Sequence, residues 1–231
     1  MAHLQLTVLS LRYSSWSMRA WLALTQAGAD FETETAEIED FATTPLEERR
    51  KMGSITGLFP VLRIDGAPVH ESLAISEFAA EAYPEADLWP RDTIARAQAR
   101  SYCAEMASGF GAMRSTMSCH LFARVPDFEP NDATRANIGR VLEIWTQCLD
   151  RHGGPFLFGT VSIADLFFYP VLTRFRTYSI GLDGFLEGYA RAIEDLPAVR
   201  VLVETARTAP RNALYDDYVR GLGGDPAAAE P

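Results

Sequence analysis

Three short stretches carry side chains whose types and spacing could do chemistry. The first is Arg12-Tyr13-Ser14-Ser15-Trp16-Ser17-Met18-Arg19. It joins an apolar, strand-like run, Leu4–Leu9, to a helical pattern, Met18, Trp21 and Leu22. The first amides of a helix lack intrahelical acceptors and the helix dipole is positive there, so amides and hydroxyls together make an anion site. The second stretch is Glu71-Ser72, at the head of another helical pattern. A helix start with a free hydroxyl takes a carboxylate and an adjacent glutamate takes an ammonium, so the pair suits a group that carries both. The third is Phe59-Pro60-Val61-Leu62, where a proline at a strand start removes a ladder donor. Each also has a plainer role: Ser14 or Ser15 as a helix N-cap, Glu71-Ser72 as an ordinary helix start.

Composition removes several other chemistries. The chain of 231 residues carries 31 acidic and 21 basic residues, a net charge of −10. That balance argues against a general affinity for nucleic acid or an anionic membrane, where Lys and Arg must dominate. Cys103, Cys119 and Cys148 are far apart, and His3, His70, His120 and His152 show no ligand spacing, so no metal site is expected. Cys119-His120 is a tempting thiol–imidazole pair, but adjacent side chains on a helix diverge. Sparse, odd-numbered cysteines suit a reducing compartment. No secretory signal and no apolar run of about 18 residues is apparent, so a soluble cytoplasmic protein is expected.

The elements that must position these stretches follow in order. Leu4–Leu9 reads as a strand, 15–27 as a helix stopped by Gly28, and 31–38 as a second strand, the unit that builds a parallel pair. A short helix fits near 46–52. Two strands then flank Asp65-Gly66, a two-residue hairpin signal, with the second over Ala67–His70. From Glu71-Ser72 a helix places Ile75, Phe78, Ala79 and Ala82 on one face and ends at Pro84. This order is that of a thioredoxin-like domain over 1–84, with 85–93 as a linker.

Beyond 93 every periodic segment is helical, giving an all-helical domain over 94–220. Ala99, Cys103, Met106, Phe110, Met113 and Met117 form the stripe of one long helix, and Ile138, Val141, Leu142, Trp145 and Leu149 that of another from about Asn131 to Gly153. Ser162-Ile163-Ala164-Asp165 is a capping box in its Asp form, flanked by the staple Val161 and Leu166, a stabilising feature. Phe185, Tyr189, Ala192 and Ile193 mark a further helix, and Pro197 suits the first turn of the next. Residues 221–231 are small and rich in Pro, Gly and Ala, and are expected to be disordered.

On these residues the chain resembles the glutathione transferase superfamily, from about Leu4 to about Pro210. The resemblance rests on Ser-Ser-x-Ser-x-Arg at Ser14–Arg19, on Phe59-Pro60-Val61-Leu62, on Glu71-Ser72 and on the cap Ser162–Asp165. His70-Glu71-Ser72-Leu73-Ala74-Ile75 and Leu88-Trp89-Pro90 are similar to the serine-type, zeta-like bacterial branch. It implies that Ser14, with Ser15 as the substitute candidate, donates a hydrogen bond to the glutathione sulfur. The Phe59 backbone, before a cis Pro60, would pair with the cysteinyl segment, and Glu71 and Ser72 would hold the γ-glutamyl end. Glutathione is then the co-substrate or cofactor, without metal, and the partners are a small electrophile and a second copy in a homodimer with a detoxifying role. Zeta enzymes usually carry a cysteine, used in maleylacetoacetate isomerisation, where this chain has Trp16. Trp16, Met113, Arg114 and Arg174 are the candidates for the substrate cleft; Arg114, Arg174 or Arg176 could pair with an acidic substrate, and Arg19 could anchor the helix or a carboxylate.

The chemistry is sufficient for that reading. Moving a thiol from about 8.5 to 6.5 requires about 2.7 kcal/mol. A hydrogen bond to a charged group supplies roughly 1.5–3 kcal/mol, and a helix N-terminus adds roughly 0.3–2 kcal/mol. The serine acts as donor: the stretch has neither the GxSxG elbow nor the positioned histidine that a nucleophilic serine needs. A transferase-fold interaction or sensor protein without catalysis is the alternative, since fold does not fix function.

Overall fold

The computed structural model describes residues 2–229. Its N-terminal half is a four-stranded sheet of order β2-β1-β3-β4, built from β1 (Leu4–Val8), β2 (Glu32–Thr35), β3 (Val61–Ile64) and β4 (Ala67–His70). β1 runs parallel to β2 and antiparallel to β3, pairing Gln5 with Glu32 and Leu6 with Leu62. Asp65 and Gly66, both at positive φ, close the β3–β4 hairpin, as the Asp-Gly signal requires. β2 is shorter than the alternation over 31–38 suggests. It is an edge strand whose four residues are all exposed, and Glu and Thr at such an edge discourage further pairing.

Leu4, Leu6 and Val8 point to the face covered by α1 (Ser15–Gln26) and α3 (Ser72–Ala82), which also pack on each other. The short α2 (Leu46–Lys51) precedes β3. A small second cluster of Ala36, Phe59 and Val61 receives Leu9, Ile38, Phe41 and Met52. Ile75 and Ala79 are buried as expected, whereas Ala82 is exposed at the end of α3.

The C-terminal half is helical: α4 (Thr93–Ser108), α5 (Gly111–Thr116), α6 (Asp132–His152), α7 (Ile163–Thr177), α8 (Gly184–Glu194), α9 (Pro197–Thr208) and α10 (Ala213–Gly221). All but one of the residues of α7 are buried, and it packs against α1 as well as α4, so it ties the two halves together. The capping box is present: the buried Asp165 carboxylate accepts from the Ser162 amide at 2.8 Å, the Ser162 hydroxyl at 2.9 Å and the Leu157 amide at 3.0 Å.

Two expectations are corrected. The single long helix through Met113 is two helices, broken at Gly109 and at Phe110, which is left-handed. A Cβ at 109 would lie 2.8 Å from the Glu105 carbonyl oxygen, so glycine permits the turn. The Arg114 guanidinium donates to the carbonyls of Met106, Ala107 and Gly109, satisfying the C-terminal end of α4. The stripe misled because all six of its apolar residues are buried in the same core across the break. The expected disordered tail, as far as 229, is instead hydrogen-bonded: the Arg124 and Asp225 backbones exchange bonds of 2.9 and 2.8 Å, and the Ala229 amide donates to Phe122. Its small residues are what allow this approach, since a Cβ at Gly224 would meet the Arg124 carbonyl at 2.6 Å. Residues 230 and 231 lie outside the described residues.

Candidate active site

A cleft of about 610 Å³ lies between the two halves, and Ser14, Ser15, Trp16, Phe59, Pro60, Glu71, Arg114 and Arg174 all line it. Three stretches of the N-terminal half, with Ser14 and Glu71 57 positions apart, thus meet at one place, facing two arginines from the helical half.

Ser14 and Ser15 sit at the start of α1 in different settings. Ser14 is the N-cap: its Oγ accepts from the Ser17 amide at 3.3 Å and its hydroxyl donates to Ser17 Oγ at 2.9 Å. The Leu9 amide donates to the same Ser17 oxygen at 3.0 Å, which ties the end of β1 to the start of α1. Ser15 is the first helical residue, buried, and its Oγ accepts from Arg174 Nη2 at 3.5 Å.

The Phe59–Pro60 peptide is cis. Among the described residues nothing hydrogen-bonds to the Phe59 amide or carbonyl, so this edge is open to an extended peptide. Glu71 holds a positive φ of 78°, a conformation that costs about 1–3 kcal/mol for a non-glycine residue and clusters at ligand sites. Its carboxylate accepts from the Leu73 amide at 3.1 Å through one oxygen, leaving the other for a ligand. Ser72 is fully buried behind Glu71 and does not itself line the cleft; among the described residues its hydroxyl has no partner, and neither has either ring nitrogen of His70, which does line it. A buried hydroxyl without a partner beside an outward carboxylate fits the carboxylate and ammonium of an amino-acid end.

Trp16 is flanked by two cations: the guanidinium carbons of Arg19 and Arg114 each lie 4.7 Å from an indole ring centroid. Among the described residues Arg19 pairs with no carboxylate. It is buried between Trp16 and Phe167 with Nε and Nη1 unpartnered, and burial, reinforced by Arg114 and Arg174, lowers its pKa to about 9. Burial, then Arg174, likewise lowers Arg114 to about 10. Arg174 is pinned by Nε to the Met117 carbonyl at 2.8 Å and by Nη1 to the Pro170 carbonyl at 2.9 Å.

Met113 does not line the cleft. Its side chain is in the core, because the break at Gly109 sets α5 against α6, where Asn137 accepts from the Met113 amide. Arg176 turns away to ion-pair with Glu187 and Glu194. Cys119 and His120 diverge: Cys119 Sγ lies 3.6 Å from Thr173 Oγ1, while His120 is bonded to Asp216. Tyr13, His70, Ser118, Cys119 and Tyr215 also line the cleft and are additional to the expected set. Tyr13 stacks on Tyr215 at 4.6 Å, bonds to Asp216 and accepts from the Asn212 amide, which docks α10 over the cleft. Tyr13 could have been suspected from its place beside the serines; Tyr215 lies on a short terminal helix that had no such signal.

Comparison with known proteins bears on the family and the fold. The model of the glutathione S-transferase N-terminal domain matches residues 13–82 and that of the C-terminal domain matches residues 128–200. The probable maleylacetoacetate isomerase of Caenorhabditis elegans is 26% identical over 189 residues, covering 80% of this chain and 86% of that protein. The maleylacetoacetate isomerase of Dictyostelium discoideum is 26% identical over 194 residues, covering 75% and 88%. Among solved structures, a Burkholderia glutathione transferase homologue with bound glutathione shares the fold at a TM-score of 0.68 and 23% identity, covering 90% of this chain and 99% of that one. Omega 2S from Trametes versicolor, in complex with 2,4-dihydroxybenzophenone, does so at 0.66 and 20%, covering 90% and 96%. The chain belongs to the glutathione S-transferase family, with a thioredoxin-like domain followed by a helical one.

Proposed function

We propose that this protein is a serine-type, zeta-like glutathione transferase that binds glutathione along Phe59–Pro60 and adds its thiolate to a small electrophile. The observation that carries the reading is the Phe59 backbone, without a hydrogen-bond partner among the described residues, lining the same cleft as the serine pair and Glu71. The γ-glutamyl carboxylate takes the Ser72 hydroxyl, its ammonium takes Glu71, and the cysteinyl segment pairs with Phe59 like an added strand. The thiol proton leaves to solvent, and a serine hydroxyl with the first amides of α1 holds the thiolate. The electrophile lies against Trp16, Arg114 and Arg174, which favour an acidic substrate. Thiolate addition to a conjugated double bond, rotation about the resulting single bond and loss of the thiolate give isomerisation. Displacement of a leaving group gives conjugation. The relatives named as maleylacetoacetate isomerases support the first route, while Trp16 in the usual cysteine position weighs toward the second. A homodimer in the cytoplasm belongs to the same proposal.

Calorimetric titration with glutathione and turnover with maleylacetoacetate and with an aryl halide test it. Binding with turnover of either substrate is the expected result, and Trp16→Cys is expected to shift the ratio toward isomerisation. No binding at millimolar glutathione would overturn the reading; binding without turnover of any electrophile favours the non-catalytic alternative.

A further inference from the structure

Two adjacent serines face the cleft, and each has one proton to give. Ser14 directs its proton to Ser17 Oγ at 2.9 Å, and its lone pair meets the Ser17 amide at 3.3 Å. With Leu9 donating to the same Ser17 oxygen, Ser14 belongs to a closed network that fixes where β1 ends and α1 begins.

Ser15 is arranged differently. Its oxygen accepts from Arg174 Nη2 at 3.5 Å, and among the described residues no acceptor takes its proton. Ser15 lines the cleft, so the proton is available there. A hydroxyl that accepts from a cation is also a stronger donor, because the two bonds polarise each other. Arg174 is well held for this: Met117 and Pro170 carbonyls take Nε and Nη1, leaving Nη2 for Ser15. It is buried, and among the described residues no carboxylate comes within ion-pair distance. A buried guanidinium bonded only to neutral oxygens calls for an anion nearby.

Resting on the glutathione reading above, the geometry points to Ser15, backed by the Arg174 guanidinium, as the hydroxyl that donates to the thiolate, with Ser14 as the cap that places it. Ser15 is the catalytic residue and Arg174 a positioning residue that acts through it. No proton is transferred to either: the thiol proton goes to solvent, Ser15 keeps its own and shares it with sulfur, and the charge on Arg174 balances the thiolate. The other charged or titratable groups on the cleft walls are Arg114, Glu71, His70, Tyr13, Cys119 and Tyr215, with Arg19 buried behind Trp16.

The test is a pH titration of thiolate absorbance in the full-length protein saturated with glutathione. The same protein saturated with S-methylglutathione serves as blank, which cancels Cys119 and the tyrosines. Ser15→Ala should raise the apparent pKa of the bound thiol by about 1 to 2 pH units, the loss of one charge-assisted hydrogen bond. Arg174→Gln should raise it too, and Arg174→Lys should restore part of the difference, which a purely structural role would not do. Ser14→Ala should move it less than Ser15→Ala while lowering the melting temperature. A larger rise with Ser14→Ala than with Ser15→Ala overturns the assignment, as does an unchanged value in a folded Arg174→Gln. If that variant does not fold, the serine comparison decides alone. Wild type that binds no glutathione overturns the functional reading itself; binding with the serine order reversed overturns only this inference.

Discussion

The Asp165 carboxylate offers a test in which the pH dependence runs against the usual direction. It is fully buried, and it accepts from two amides and one hydroxyl, with no cation at ion-pair distance among the described residues. Burial outweighs these hydrogen bonds and raises its pKa to about 6, against about 3.9 in the unfolded chain. Between those values the folded state binds more protons than the unfolded state, so stability falls as pH rises from about 4 to 6, by about 3 kcal/mol. Asp165→Ala leaves three buried donors without acceptors, at about 1–3 kcal/mol each, or about 6 kcal/mol centrally. Removing the buried charge returns about 3 kcal/mol of that at neutral pH but nothing at pH 4. The net loss is therefore about 3 kcal/mol at pH 7 and about 6 kcal/mol at pH 4. For a chain of 231 residues, with an unfolding entropy of about 2.1 cal/mol/K per residue, these are drops in Tm of about 6 and 12 °C. Calorimetry of both proteins from pH 4 to 7.5 measures the difference, in which shared titrations cancel. A deficit that is largest at neutral pH and shrinks on acidification would mean that the carboxylate is held charged below its ordinary range, and the reasoning fails.

Two further substitutions separate function from architecture. Ser72→Ala removes a buried hydroxyl that has no protein partner, so Tm should stay within about 1 °C while the Kd for glutathione rises about tenfold or more by calorimetry; unchanged affinity removes Ser72 from the site. Arg19→Met replaces a buried cation, whose pKa is lowered to about 9, by an apolar chain of comparable length. At neutral pH the variant should be at least as stable in denaturant melts, whereas a loss of several kcal/mol would show that the stacking on Trp16 and Phe167 outweighs the desolvation.

The N-terminal fold was legible because its signals are local. Asp65-Gly66 demands two positive φ values, Gly28 ends α1 where the helical pattern stops, and Leu4, Leu6 and Val8 alternate into one core. The break at Gly109 was not legible from periodicity, because α4, α5 and the cap of α5 send Ala99, Cys103, Met106, Met113 and Met117 into one core and the stripe crosses the turn unbroken. The carbonyls left at the end of α4 are taken by a side chain five residues past the break, Arg114, and no capping rule scans that far. The tail failed for a related reason. Small residues read as disorder, yet at Gly224 smallness is what lets the backbone lie against Arg124.

The candidate site divides along the same line. Ser14, Ser15, Phe59, Pro60 and Glu71, which meet in the cleft, stand out in the sequence because each sits on a local device: a helix start, a proline-framed strand edge, a cap. The arginines were ambiguous because their meaning is set by what they meet. Arg114, Arg174 and Arg176 all read as solvated or cleft-facing charges. Arg114 lines the cleft while also closing a helix, Arg174 lines it within 3.5 Å of Ser15 Oγ, and only Arg176 turns away, to pair with two glutamates. α7 is buried nearly all round, so no hydrophobic face tells which way Arg174 points. That no carboxylate among the described residues lies at ion-pair distance separates it from Arg176 only in three dimensions. That difference matters for chemistry: Arg176 has its countercharges built into the fold, whereas among the described residues no carboxylate lies at ion-pair distance from Arg174, which lines the cleft. A thiolate beside Ser15 would therefore be held by the helical half of the molecule as well as by the half that binds the peptide.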